Sequence, residues 1–174
     1  MHMKNVSKVL SLIVVLCLMV PAMTNAQAGK TNFAGSWTFN AEKSTLPQGG
    51  GGGGMRAGGG DFTATQEANL LTVTRTRTGQ DGTPTTTVMK YTLDGKECIN
   101  ANPRGDSKSV CTWSADGKAL TIKTSRTFDM NGETRTMNST ETYSLTDAST
   151  LSVKSTRPGQ DGAEIVTTLV YNKK

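Results

Sequence analysis

A phrase of 12 residues is written twice in this chain, and its grammar constrains what the chain can fold into. Leu71-Thr-Val73-Thr-Arg75-Thr-Arg77-Thr-Gly79-Gln-Asp81-Gly82 returns as Leu151-Ser-Val153-Lys-Ser155-Thr-Arg157-Pro-Gly159-Gln-Asp161-Gly162. The offset is 80 residues, and Tyr91 lands on Tyr171 at that same offset. A looser third copy runs Leu120-Thr-Ile122-Lys-Thr-Ser-Arg126, then Asn131-Gly132, then Tyr143. Each copy reads as strand, glycine-containing turn, strand. One such hairpin cannot bury its apolar face alone. A series of them of equal length predicts an antiparallel meander, closed into a barrel.

The rest of the chain fits that frame. From Asp61 onward it is rich in threonine and alternates every second residue, the period of a strand with one buried face. Strands are predicted at 35–40, 61–67, 70–78, 84–93, 96–100, 107–114, 118–127, 133–145, 149–156 and 163–172. Turns fall at Ala68-Asn69, Gln80-Asp-Gly82, Asp94-Gly95, Asn102-Pro-Arg-Gly105, Asp116-Gly117, Asn131-Gly132, Asp147 and Gln160-Asp-Gly162. A short turn around Ala41 to Ser44 is the only helical signal. Leu71, Val73, Met89, Tyr91, Leu93, Leu120, Ile122, Met137, Tyr143, Leu145, Leu151, Val153, Ile165, Leu169 and Tyr171 share the inward face. Threonine, serine and lysine alternate with them and face water.

Residues 1–26 read as a secretory signal peptide. Lys4 and Lys8 give the charged start, Val9 to Val20 the apolar stretch, and Thr24-Asn-Ala26 or Ala26-Gln-Ala28 the small-residue cleavage site. The apolar stretch is too short to span a bilayer. Leu16 stands where a small residue would precede a lipidated Cys17, so lipid anchoring is disfavoured. The mature chain, 27–174, is then one exported domain, periplasmic or extracellular, with a flexible glycine-rich loop at 47–60. Loss of Lys4 and Lys8 takes the formal charge from +5 to +3 (5 − 2), with no basic run. Nucleic acid is not an expected partner, and no later segment is apolar enough to cross a membrane. Cys98 and Cys111 remain, and two cysteines in an exported protein are expected to pair as a disulfide.

The opening Asn32-Phe33-Ala-Gly35-Ser-Trp37 resembles the Phe-x-Gly-x-Trp start of the calycins, the lipocalins and fatty-acid-binding proteins. Ten meandering strands match the fatty-acid-binding architecture, and Leu169-Val-Tyr171-Asn-Lys-Lys174 is similar to that family's last strand. The resemblance spans nearly all of the mature chain, and it extends to lipocalin-like domains of bacterial exported proteins. It implies an all-β, antiparallel up-and-down barrel of eight to ten strands that binds a small hydrophobic ligand inside. Two departures stand out. A glycine tract, Gly49 to Gly54, replaces the family's pair of lid helices. The family's closing Arg-x-Tyr, which grips a carboxylate, is Leu169-Val-Tyr171, with tyrosine but no arginine. Fatty-acid binding is therefore not carried over residue by residue.

Much chemistry is excluded. The one histidine, His2, leaves with the signal, so no histidine triad and no imidazole metal ligand is expected. Asp81, Asp94, Asp116, Asp129, Asp147 and Asp161 sit in turns, where carboxylates bond backbone amides. Glu133 and Glu141 share the predicted inward face of one strand, but nothing positions a substrate for carboxylate catalysis. The glycine tract lacks the Lys-Ser/Thr of a phosphate loop. Asn138-Ser-Thr140 is a glycosylation sequon that a threonine-rich chain produces by chance. The expectation is a non-enzyme with no cofactor and no metal.

One constellation is left. Arg75 and Arg77 continue the register of Leu71 and Val73. Arg126 continues Leu120 and Ile122, Arg135 leads into Met137, and Arg157 continues Val153. Turns of a meander alternate between barrel ends. The tips at 79–83, 128–132 and 158–162 then share one end with the glycine tract and the 101–106 loop, which carry Arg56 and Arg104. The prediction is an apolar floor under an arginine-lined mouth. It would bind a small hydrophobic or anionic amphipathic ligand through Arg75, Arg77, Arg126, Arg135, Arg157, Tyr91, Tyr143 and Tyr171. Two plainer readings stand beside it. Arginines near strand ends snorkel to solvent, and buried tyrosines fill cores. The alternative function is a structural or protein-interaction module of the cell envelope, with a filled interior and no small ligand.

Overall fold

Alternation of apolar and hydroxyl side chains is what extends this chain, and the strands obey it closely. The computed structural model describes residues 29–46, 59–79, 81–102, 105–130, 132–159 and 162–174. Residues 1–26, where a signal peptide is expected, the glycine tract with Arg56, and Arg104 lie outside the described residues. The strands are β1 (Gly35–Thr45), β2 (Phe62–Glu67), β3 (Leu70–Thr78), β4 (Pro84–Thr92), β5 (Glu97–Asn100), β6 (Ser107–Trp113), β7 (Ala119–Met130), β8 (Glu133–Asp147), β9 (Thr150–Pro158) and β10 (Glu164–Lys173). They form a single antiparallel sheet of 10 strands in the order β4-β3-β2-β1-β10-β9-β8-β7-β6-β5. The predicted all-β meander barrel is the fold, and its first and last strands are neighbours.

The duplicated phrase folds twice in the same register. Leu71 faces Tyr91 across β3 and β4, and Leu151 faces Tyr171 across β9 and β10. The third copy repeats the pair as Leu120 and Tyr143. Both full copies turn alike. Gly79 N–H donates to the Thr83 carbonyl and Gly159 N–H to that of Ala163, while Gly82 and Gly162 adopt φ of 80° and 82°. That left-handed backbone favours glycine, so the Gly-Gln-Asp-Gly phrase is a hairpin signal with a mechanism. On the outer face, hydroxyls meet across the strands, Thr76 with Thr86 at 3.0 Å and Thr127 with Thr136 at 3.2 Å. Each such pair adds a few tenths of a kcal/mol, about 0.2–1. The turn aspartates do what turn chemistry asks: Asp81, Asp94, Asp116 and Asp147 accept from nearby amides and hydroxyls, which hold them below the usual carboxylate range.

The core lies inside the cylinder, with Leu71, Val73, Leu120, Ile122, Tyr143, Leu151, Val153 and Tyr171 all buried. One end is plugged by the segment before β1. Thr31 N–H donates to the Gly117 carbonyl (2.9 Å), and Gln66 clamps the segment through Phe33 N–H (2.9 Å) and the Thr31 carbonyl (3.0 Å). Phe33 stacks on Trp113, and Trp37 Nε1–H donates to the Phe33 carbonyl (3.0 Å). Residues 41–44, read as a turn, belong to β1. Its register on β10 shifts between Asn40 and Thr45, where Ser44 Oγ–H donates to the Asn40 carbonyl and Ser44 Oγ accepts from Val170 N–H. Met137 keeps its inward register but is 41% exposed, because the β7–β8 hairpin runs on beyond the barrel body.

Between β4 and β5 there is no ladder, and side chains span the break. Asn100 Oδ1 accepts from Lys90 N–H (2.7 Å), and its Nδ2–H donates to the Lys90 carbonyl (2.9 Å). The Cys98 thiol donates to the carbonyls of Lys90 and Ser109, each at 3.4 Å. This overturns the expected Cys98–Cys111 disulfide, since both thiols are free. Register is the reason. Cys98 stands opposite Ser109, which puts Cys111 one diagonal step further along the same face. Diagonal neighbours sit about 7–8 Å apart, and disulfides need Cα atoms within about 6.8 Å. Burial, then the neighbouring Cys98 and Asp94, pushes the Cys111 thiol up to about 12. Alkylation of the folded protein at pH 8 should therefore modify half-exposed Cys98 and spare Cys111 until denaturant is added. Mass spectrometry of the peptides reads both, and protection of both cysteines would reinstate the bridge.

Candidate functional site

The repeat explains where the barrel is not full. Position for position, Arg75 in the first copy corresponds to Thr124 in the third and Ser155 in the second. One guanidinium projects at this level, and the two equivalent places carry small hydroxyls. Space is left beside it. A cavity of about 220 Å³ lies there, bounded by Arg75, Arg77, Glu141 and Ser155 on its polar side. Val73, Met89, Val153 and Leu169 supply the apolar wall, and Tyr91 and Tyr143 complete the lining. Connections from odd to even strands all lie at one barrel end, so Arg77, near the β3–β4 turn, marks the mouth.

Arg75 is held in place from several sides. Its guanidinium lies 4.5 Å from the centre of the Phe62 ring, and Nη1–H donates to the Gly60 carbonyl at 3.5 Å. Phe62 meets Tyr171 edge-on at 4.9 Å, and Phe39 leans on Tyr171 at 5.7 Å. A cation over an aromatic face in a partly desolvated site contributes roughly 1–2 kcal/mol. Burial works against the charge of Arg75, but Tyr143, Tyr171 and Glu141 more than offset it, and the group is held firmly protonated. Burial pushes the Tyr171 phenol up, and the Arg75 guanidinium beside it pulls only partly back. Burial likewise pushes the Tyr91 and Tyr143 phenols up, with Glu141 adding to it, so both stay neutral donors. Tyr143 O–H donates to Glu141 Oε2 at 3.2 Å.

Of the residues singled out from the sequence, Arg75, Arg77, Tyr91 and Tyr143 meet at this cavity, and Tyr171 stands beside Arg75. The other three arginines are elsewhere. Arg126 donates through Nη2 to Asn102 Oδ1 (3.1 Å) and rests near the Phe128 ring. Arg135 is 53% exposed and pairs with Glu133 at 3.2 Å, while Arg157 is exposed opposite Ile165. These three do not border the cavity. The sequence reading passed over Met89, Ser155 and the Phe62 platform as site residues. Aligning the repeats would have flagged Ser155, since it is the small residue standing in the place of Arg75. Nothing local marks Phe62, which reaches Arg75 only through the β2–β3 pairing.

No protein-family model matches the chain, and no curated protein matches it. Among solved structures, it is similar to wild-type UnaG, a fluorescent protein, at 18% identity and a TM-score of 0.50, over 82% of this chain and 97% of that one. An asparagine-to-alanine mutant of the same protein aligns at 18% identity with a TM-score of 0.47, over 82% of this chain and 96% of that one. The likeness to the wild-type protein agrees with the strand order in showing a 10-stranded antiparallel meander barrel of calycin-like fold.

Proposed function

We propose that this protein is a non-enzymatic binding protein that holds a small amphipathic or anionic molecule inside the barrel. The observation that carries this reading is a half-buried guanidinium, Arg75, on the wall of a cavity that Val73, Met89, Val153 and Leu169 also line. The apolar body would lie against Val73, Met89, Val153 and Leu169, and the acid would meet Arg75 with Tyr91 as a further donor. Size narrows the class. A space of about 220 Å³ is below the roughly 300–1,000 Å³ of drug-sized sites, and matches on the order of seven waters. The enclosed portion of the ligand is therefore compact, and anything longer would pass out beside Arg77. The barrel architecture, of the fatty-acid-binding kind, supports binding over catalysis. Residues 1–26 support an exported location, which N-terminal sequencing of the secreted protein would test.

Displacement of anilinonaphthalene sulfonate, an anionic aromatic dye, by short organic acids tests the reading. Wild-type protein should bind the dye, and Arg75→Gln should weaken that binding about 10- to 100-fold, the worth of one or two charge-assisted hydrogen bonds. Arg135→Gln, in an exposed surface pair, should leave it unchanged. Absence of dye binding to the wild type, or equal effects of the two variants, would refute it.

A further inference from the structure

Glu141 is an odd residue to find in a site for a simple acid. It lies on β8, with Ile122 and Ser155 as its cross-strand neighbours, and it borders the same 220 Å³ cavity as Arg75. Its carboxylate is half-buried, and Tyr143 O–H anchors Oε2 at 3.2 Å. Among the described residues it makes no ion pair. A monofunctional carboxylate drawn to Arg75 would enter beside this second negative charge. In a partly desolvated cavity, at an effective dielectric of about 20, such a neighbour within several ångströms weakens binding on the order of tenfold or more. A ligand that also carries a hydrogen-bond donor turns the same carboxylate into a partner.

We infer that Glu141 is a specificity-determining residue, and that the cavity selects molecules bearing an acid and an ammonium close together on a compact apolar body. This rests on the binding function proposed above and refines its ligand class to small zwitterions. Arg75 takes the acid, Glu141 takes the ammonium, and the aliphatic wall of Val73, Val153 and Leu169 takes the body. Tyr143 fixes the Glu141 carboxylate, so the two charged groups are presented in a set orientation without reorganisation on binding.

Three probes of one shape isolate the two charges: L-phenylalanine, 3-phenylpropanoate, which lacks the amine, and 2-phenylethylamine, which lacks the acid. Calorimetric titration of the full mature chain should show phenylalanine binding at least about tenfold tighter than either truncated probe. Glu141→Gln keeps the shape and the acceptor for Tyr143, and should reverse the order. Phenylpropanoate should gain about tenfold and phenylalanine should lose about as much. A Glu141 that only supported the fold would change neither ratio. A wild type that prefers phenylpropanoate overturns the inference, even if Glu141→Gln fails to fold. So does dye binding without any binding of phenylalanine, which leaves the general binding function standing. If neither the dye nor any probe binds, it is the binding function itself that fails.

Discussion

Trp37→Ala should cost the protein about 3–5 kcal/mol, the range for truncating a large buried aromatic. Trp37 is 1% exposed, on β1, the strand that joins β2 to β10, with Lys173 of β10 on one side and Phe62 of β2 on the other. Its indole N–H holds the Phe33 carbonyl, and Phe33 is the plug of the closed end, stacked on Trp113 and edge-on to Tyr143. Alanine would leave both a void and a buried carbonyl without its donor, and the plug would lose its tether. Against a total of about 5–15 kcal/mol for a domain of this kind, the loss is large. Urea denaturation followed by circular dichroism measures it. Trp37→Phe, which keeps a ring but drops the hydrogen bond, should fall between. A loss below about 1 kcal/mol for the alanine variant would mean that Trp37 is not the keystone of the closed end.

Asn100→Ala should open the seam between β4 and β5 at a cost of about 1–3 kcal/mol, since the Lys90 N–H loses its partner and the Lys90 carbonyl keeps only the Cys98 thiol. Asn100 is 7% exposed, and one amide side chain satisfies both Lys90 N–H and the Lys90 carbonyl, as a neighbouring strand would. Thr72 is the partner of Lys90 on β3, so the backbone groups of Lys90 that bond Asn100 are the ones turned toward the break. The local readout is hydrogen exchange. The Lys90 amide should lose protection in Asn100→Ala, while the Tyr91 amide, on the β3 side, should keep most of its own. Asn100→Asp keeps the acceptor and loses the donor, so it should protect Lys90 N–H while destabilising less. Unchanged exchange at Lys90 would show that water or Cys98 already satisfies the seam.

The inward face was readable because period-two alternation leaves no freedom: once Leu71 points in, so do Val73 and Arg75. Equal hairpin lengths made the meander readable, and glycine at the φ-positive turn positions marked where the chain reverses. Arg75 and Tyr143 were legible as site residues on the same ground. Three things were not. Register gives the direction of Arg126, Arg135 and Arg157 but not how far along the barrel axis the cylinder stays closed. The cysteines share a face, yet whether they are direct or diagonal neighbours depends on how β5 registers against β6, which a loop of that length does not set. The break bridged by Asn100 has no local signature, because a buried asparagine reads like any turn residue until its partner strand is known.

The chain by itself determined its strand count, its turns and which side chains face inward, because these follow from backbone sterics and a repeating pattern a few residues long. Only the tertiary structure decided that β1 closes on β10, that the break falls between β4 and β5, and that two arginines of the five border the cavity that Glu141 also lines. Those depend on strand stagger and on residual volume inside the cylinder, sums over residues far apart in sequence that no local pattern encodes.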